Sequence, residues 1–132
     1  MKTQIKLLTA ALALAAASAH AGVVLNAHND GTGAFKTLIG VGASGEGVAI
    51  GRDAQATGVG NNRFHALAVG NNANANRHGA TALGNSAYSD GWDGTAVGTG
   101  SQVRGGTSTA IGIWATVLGD SVNSTALGSQ AA

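Results

Sequence analysis

The chain has 132 residues, no Cys, no Pro, 22 Gly, 10% charged residues and a formal net charge of +1. That length holds one domain, and the lack of Cys excludes a disulfide-stapled scaffold. Sparse, nearly balanced charge excludes the basic footprint of a nucleic-acid binder and a polybasic membrane patch.

The first predicted element covers residues 1–21. Lys2 and Lys6 precede the apolar run LLTAALALAAASA, and Ala19-His20-Ala21 has the small-x-small form of a cleavage site before Gly22. This is the layout of a secretory signal peptide, and the apolar run is too short to span a bilayer. Residues 22–132 then carry five basic and six acidic side chains, a formal charge of −1, so the positive charge belongs to the leader. No later segment reads as a membrane helix.

Residues 22–46 read as an N-terminal Gly-rich segment or a first coil. Gly40-Val41-Gly42-Ala43-Ser44-Gly45 spells GxGxxG. A dinucleotide site needs a helix after that loop, with its N-terminus on the pyrophosphate. Another strand is expected instead, so no cofactor is assigned.

Residues 47–132 are repetitive. Of the 111 residues from Gly22 onward, 41 are Gly or Ala, a composition that without periodicity reads as disorder. The triplet Ala-[Ile/Leu/Val]-Gly, however, recurs with its glycines at Gly51, Gly70, Gly84, Gly98, Gly112 and Gly128, at intervals of 19, 14, 14, 14 and 16. The long steps place insertions of five residues near NNRFH (61–65) and of two near Val122-Asn123.

A second Gly column, Gly58, Gly91, Gly105 and Gly119, lies seven residues after the first, with Arg77 as its exception. Small residues recur between the columns. The third position after the first Gly is Ala54, Ala73, Ala87, Ser101, Ala115 and Ala131; the fifth is Ala56, Ala75, Ser89, Val103 and Val117.

Each unit is therefore two short alternating runs, each closed by a Gly turn. Alternation is the strand signature, and two strands plus two turns per fourteen residues make one coil of an all-β solenoid. In Ser108-Thr109-Ala110-Ile111-Gly112, Thr109 and Ile111 share one face and Ala110 takes the other. Steps of seven rather than six argue for a flattened two-strand roll over a three-sided helix.

Ala permits close packing, and Ile50, Val69, Leu83, Val97, Ile111 and Leu127 are expected to supply burial. Each coil has only one or two such side chains, at ~1.5–3 kcal/mol each when buried, against the ordering of some fourteen backbones at ~1–2 kcal/mol each. Association of several rolls through the face opposite the first core would add burial.

GVAIGRDAQATG (47–58), ATALGNSAYSDG (80–91), GTAVGTGSQVRG (94–105) and STAIGIWATVLG (108–119) resemble the head repeats of YadA-like trimeric autotransporter adhesins. The resemblance covers residues 47–132 and implies a left-handed parallel β-roll that forms a homotrimer. It also implies display at the surface of a Gram-negative bacterium, or release from it, and binding to host matrix, host cells or other bacteria. In the family a neck, a coiled-coil stalk and a β-barrel anchor follow the head. None follows Ala132, so trimerisation is expected from the head alone.

Other chemistries are weaker readings. His28, His65 and His78 show no metal-ligand spacing and read as exposed turn residues. Asp90 and Asp93 match neither calcium loop type. There is no G-x-S-x-G elbow, so neither an enzyme nor any catalytic, metal or cofactor residue is assigned. Thr81, Thr95, Thr109 and Thr125 form a column that would suit ice binding, but Val48 and Leu67 share it, as at a semi-buried position. Tyr88, Trp92 and Trp114 are too large for an Ala-lined core and belong outside it. An uncapped solenoid that stacks end to end into a filament or matrix is the second reading.

Overall fold

The computed structural model describes residues 37–45, 47–59, 65–119 and 121–132. The signal peptide read at 1–21, His28 and residues 61–64 of the NNRFH insertion lie outside the described residues. Along the chain run β1 (Thr37–Ile39), β2 (Ser44–Gly45), β3 (Val48–Ile50), β4 (Gln55–Val59), β5 (Leu67–Val69), β6 (Asn74–Arg77) and β7 (Thr81–Leu83). They continue as β8 (Tyr88–Ser89), β9 (Thr95–Val97), β10 (Gln102–Val103), β11 (Thr109–Ile111), β12 (Thr116–Val117) and β13 (Thr125–Leu127). No helix occurs among the described residues.

Odd strands form a seven-stranded sheet in the order β1-β3-β5-β7-β9-β11-β13, and even strands a six-stranded sheet in the order β2-β4-β6-β8-β10-β12. Every pairing is parallel. The chain is a β-solenoid of about six turns whose sheets close on each other. From β5 to β11 the register advances by fourteen residues per coil, as in Leu67↔Thr81, Thr81↔Thr95 and Thr95↔Thr109.

Both irregular steps in the sequence reappear as irregular coils. Val48 pairs with Leu67, and Thr109 with Thr125, so the extra residues are accommodated without displacing the strands. A third irregularity is new: Thr37 pairs with Val48 and Ser44 with Gln55, a coil of eleven residues. Its strand reads Leu38-Ile39-Gly40, and Leu38, standing where later coils have Ala, hides it from a search on the Ala triplet. Leu38 is half-buried and packs against the core.

The middle residue of each odd strand points inward: Ala49, Ala68, Ala82, Ala96 and Ala110 are fully buried and Ala126 nearly so. From the even strands come Ala56, Ala75, Ser89, Val103 and Val117, and from the corners Ala54, Ala73, Ala87, Ser101 and Ala115. Burial within the chain is thus supplied by small residues. Ile50, Val69, Leu83 and Val97 are only half-buried, Ile111 is 42% exposed and Leu127 64%. In a three-residue x-Ala-x strand the pleat sends both flanking side chains to the face opposite the Ala.

Val103 is the largest fully buried side chain. It fits because Gly91 and Gly94 face it without side chains: a Cβ on Gly94 would lie 2.9 Å from Val103 Cγ1 and 2.9 Å from Ser89 Oγ. The buried hydroxyls spend their donors on backbone, Ser89 on the Gly94 carbonyl (2.9 Å) and Ser101 on the Gly98 carbonyl (2.9 Å), as buried polar atoms must.

With a core this thin, the backbone ladder does much of the holding, and it continues through the turns. Each odd strand ends in Gly, followed by a four-residue turn such as Gly84-Asn85-Ser86-Ala87, in which the Ala87 N–H donates to the Gly84 carbonyl (3.3 Å). The third residue is left-handed (Ser86 φ 55), which fits a type II turn. Successive turns bond directly: the Ser86 N–H donates to Asn71 (2.8 Å), Gly100 to Asn85 (2.9 Å) and Trp114 to Thr99 (3.0 Å).

The Gly that opens each turn is obligatory. Gly84 has φ +136, and a Cβ on it would lie 2.6 Å from the Gly98 carbonyl oxygen of the next coil. Gly128 shares the positive φ (+119) but meets nothing within 4 Å. Gly84→Ala is therefore expected to destabilise by more than the ~1–3 kcal/mol of backbone strain alone, and Gly128→Ala by that strain only. Urea unfolding followed by far-UV circular dichroism at one protein concentration measures both.

The match between Val103 and Gly94 gives a second expectation. Gly94→Ala overpacks the core and should cost about 1–3 kcal/mol, whereas in a Val103→Ala background the same change should cost at least ~0.5 kcal/mol less. Additive effects in that double-mutant cycle would show that the two positions do not share space.

Candidate binding surfaces

The roll has two sheet faces and two turn edges, and their chemistry differs. On the outer face of the seven-stranded sheet stand two columns. One is Val48, Leu67, Thr81, Thr95, Thr109 and Thr125; the other is Ile50, Val69, Leu83, Val97, Ile111 and Leu127. All but Ile111, Thr125 and Leu127 are half-buried, and those three are exposed. The Thr column thus shares its face with a continuous aliphatic stripe one coil spacing apart, ~4.8 Å, and that face carries no charge.

The outer face of the six-stranded sheet is polar and bonded within itself. Asn74 Nδ2 donates to Gln55 Oε1 (3.3 Å) and Asn76 Nδ2 to the Tyr88 hydroxyl (3.4 Å). Arg77 Nε donates to Asp90 Oδ1 at 2.9 Å, and the Arg104 guanidinium lies 5.8 Å from the Tyr88 ring centroid. The Arg77–Asp90 pair is partly exposed on both sides, the kind worth little to stability. Arg77, the exception in the second Gly column, lies where the β4–β6 register shifts between Ala56 and Val59.

One turn edge carries Arg52-Asp53, Asn71-Asn72, Asn85-Ser86, Thr99-Gly100 and Ile113-Trp114 in successive coils. Trp114 is 55% exposed, and its ring lies over Gly100, where a Cβ would fall 2.5 Å from Cε3. The other edge carries His78, Trp92, Gly106 and Val122. There the imidazole of His78 stacks on the indole of Trp92, centroids 5.7 Å apart and planes 29° apart.

His78 corrects the expectation of exposed turn histidines: its side chain is 14% exposed, because Trp92 covers it, and Nδ1 lies 3.4 Å from Asp93 Oδ1. His65 is half-buried at the start of a coil. Among the described residues no three His, Asp or Glu side chains gather as a metal site. Asp90 and Asp93 point to different partners, Arg77 and His78. In the GxGxxG stretch, Gly40 closes β1, Val41 and Gly42 turn, and Ser44–Gly45 is β2, so a strand stands where a dinucleotide site has its helix.

A shallow groove of about 370 Å³ lies along β12 and β13, lined by Thr116, Val117, Leu118, Ser121, Ser124 and Thr125. None of these side chains is an acid or a base. Aromatic stacking between coils escaped the sequence reading, although the signal was present: His78 and Trp92 are fourteen residues apart, one repeat.

The family comparison matches the YadA head domain repeat (2 copies) over residues 64–87, 90–113 and 104–131. No curated protein and no solved structure matches the chain. The matched segments span half of the chain and coincide with coils whose parallel, fourteen-residue register is described above. The chain belongs to the YadA head family of adhesin-type β-solenoids.

Proposed function

We propose that this chain is an exported adhesin head that works as a homotrimer and binds host matrix, host cells or other bacteria through many weak contacts. The observation that carries the reading is the uncharged aliphatic and Thr face of the seven-stranded sheet. One roll leaves that face half covered, and three rolls packed face to face would bury it, adding the apolar area that the Ala core lacks. Family membership supports the assembly and the left-handed winding.

In this reading no residue acts chemically. The polar sheet and the two turn edges face outward and present related contacts at each coil and on each copy. Linking weak sites in this way raises apparent affinity by ~10²–10⁴-fold without any deep pocket. The signal peptide at residues 1–21 supplies export, and the head is displayed at the cell surface or released.

Size-exclusion chromatography with light scattering on the exported chain should give three times the monomer mass. Val97→Asp, a charge in the middle of the apolar face, should give a monomer with retained β-sheet circular dichroism. Its binding to immobilised matrix protein or to cells should fall by ~10²-fold or more, the loss expected when avidity disappears. Fibres that lengthen with concentration would replace this reading by the filament.

N-terminal sequencing of the exported chain tests the leader. The expected first residue is Gly22; retention of Met1 on the product would refute cleavage.

A further inference from the structure

On the second turn edge one side-chain position stacks coil above coil as His78, Trp92, Gly106 and Val122. Backbone bonds fix that order: the Asp93 N–H donates to the His78 carbonyl (2.9 Å), Thr107 to Trp92 (2.6 Å) and Asn123 to Gly106 (3.1 Å). His78 covers one face of the Trp92 indole. On the other side Gly106 has no side chain, and a Cβ built there meets nothing within 4 Å among the described residues. Trp92 is 52% exposed and Val122 63%.

The result is a slot with Trp92 as one wall, Val122 as the other and Gly106 as the floor. Its walls stand two coil spacings apart, ~9.6 Å. Two van der Waals contacts of ~3.5–4.0 Å each leave room between them for one puckered ring. Its rim is polar. The Asp93 carboxylate leans the other way, over Gly79 and 3.4 Å from His78 Nδ1, whereas the Thr107 hydroxyl donates to Asn123 Oδ1 at 2.5 Å, holding that side chain at the edge. The gap at Gly100 on the opposite edge differs, because the chain's own Trp114 fills it.

We infer that the Trp92–Gly106–Val122 slot is a saccharide subsite that seats a hexopyranose, its C–H face on the indole and its hydroxyls toward Thr107 and Asn123. The C–H face of such a ring is apolar and suits an exposed aromatic surface. A purely apolar ring would strip water from the Thr107 hydroxyl and the Asn123 amide and return no hydrogen bond, whereas sugar hydroxyls bond to both kinds of group. Stacking on His78 holds the indole in place, so little freedom is lost on binding. The inference deepens the adhesive reading and rests on it, since a single shallow subsite becomes useful when repeated across copies.

The test is an NMR titration of the full chain with methyl galactoside, methyl glucoside, methyl mannoside and N-acetylglucosamine, following both indole N–H resonances and saturation transfer to the sugar. At least one sugar should shift the Trp92 signal and not the Trp114 signal, with saturation strongest on one ring face. Gly106→Val, at a site with no positive φ and no close neighbour, should keep the melting temperature and weaken binding at least tenfold. Trp114→Phe should bind like the parent, and so should monomeric Val97→Asp.

No shift of Trp92 with any of the four sugars would overturn the subsite, as would undiminished binding by Gly106→Val. A Trp92 response to proline-rich or tyrosine-rich peptides and to none of the sugars would overturn it in favour of a protein partner. If Gly106→Val still adheres to cells and the parent shows no sugar shift, the subsite fails and the adhesive reading stands.

Discussion

Each coil of this protein touches the next through glycines that have no room for a Cβ. At Gly51, Gly70, Gly84, Gly98 and Gly112 the backbone takes a strongly positive φ and runs directly against the carbonyl of the following glycine. The approach lets turns as well as strands bond from coil to coil, and everything else adapts to it. A fold whose inner residues are mostly Ala buries too little per residue to hold itself by apolar area alone. A ladder unbroken at the corners leaves few backbone groups unpaired.

The same economy separates the surfaces. Small inward residues leave the aliphatic side chains of the odd strands outside, on an uncharged face. The even strands and the residues that follow them carry amides, Asp90 and two arginines that bond mainly within that face. The two tryptophans have no place inside and sit on turns, where Trp92 leans on His78 and Trp114 on the bare backbone of Gly100. The chain thus presents one uncharged aliphatic face and three other sides of different chemistry, the asymmetry on which the proposed adhesive head rests.

Much of this architecture was readable from residue spacing, because the constraint is local and recurs. Gly51 to Gly128 and the inward Ala and Ser columns are forced at every coil, so they stand out as periods. What escaped notice depends on which residues meet across coils. Leu38 breaks the Ala pattern and concealed an eleven-residue coil. Val103 is a large residue in a small-residue column, intelligible only once Gly91 and Gly94 are seen opposite it. His78 looked like a solvated turn residue until the register put Trp92, fourteen residues later, on top of it. The apolar column reads as burial from its residue types alone, whereas one chain leaves it half open.

One property of the turns has a consequence for variation. The second residue of each turn contributes its peptide to the ladder, and its side chain stays outside the core. Arg52, Asn71, Asn85, Thr99 and Ile113 fill that place in successive coils of one edge, and His78, Trp92, Gly106 and Val122 on the other. None of those side chains belongs to the core. They stand outside the strands at a fixed pitch of ~4.8 Å. The molecule is in effect a ruler whose graduations are held rigid while the marks written on them vary.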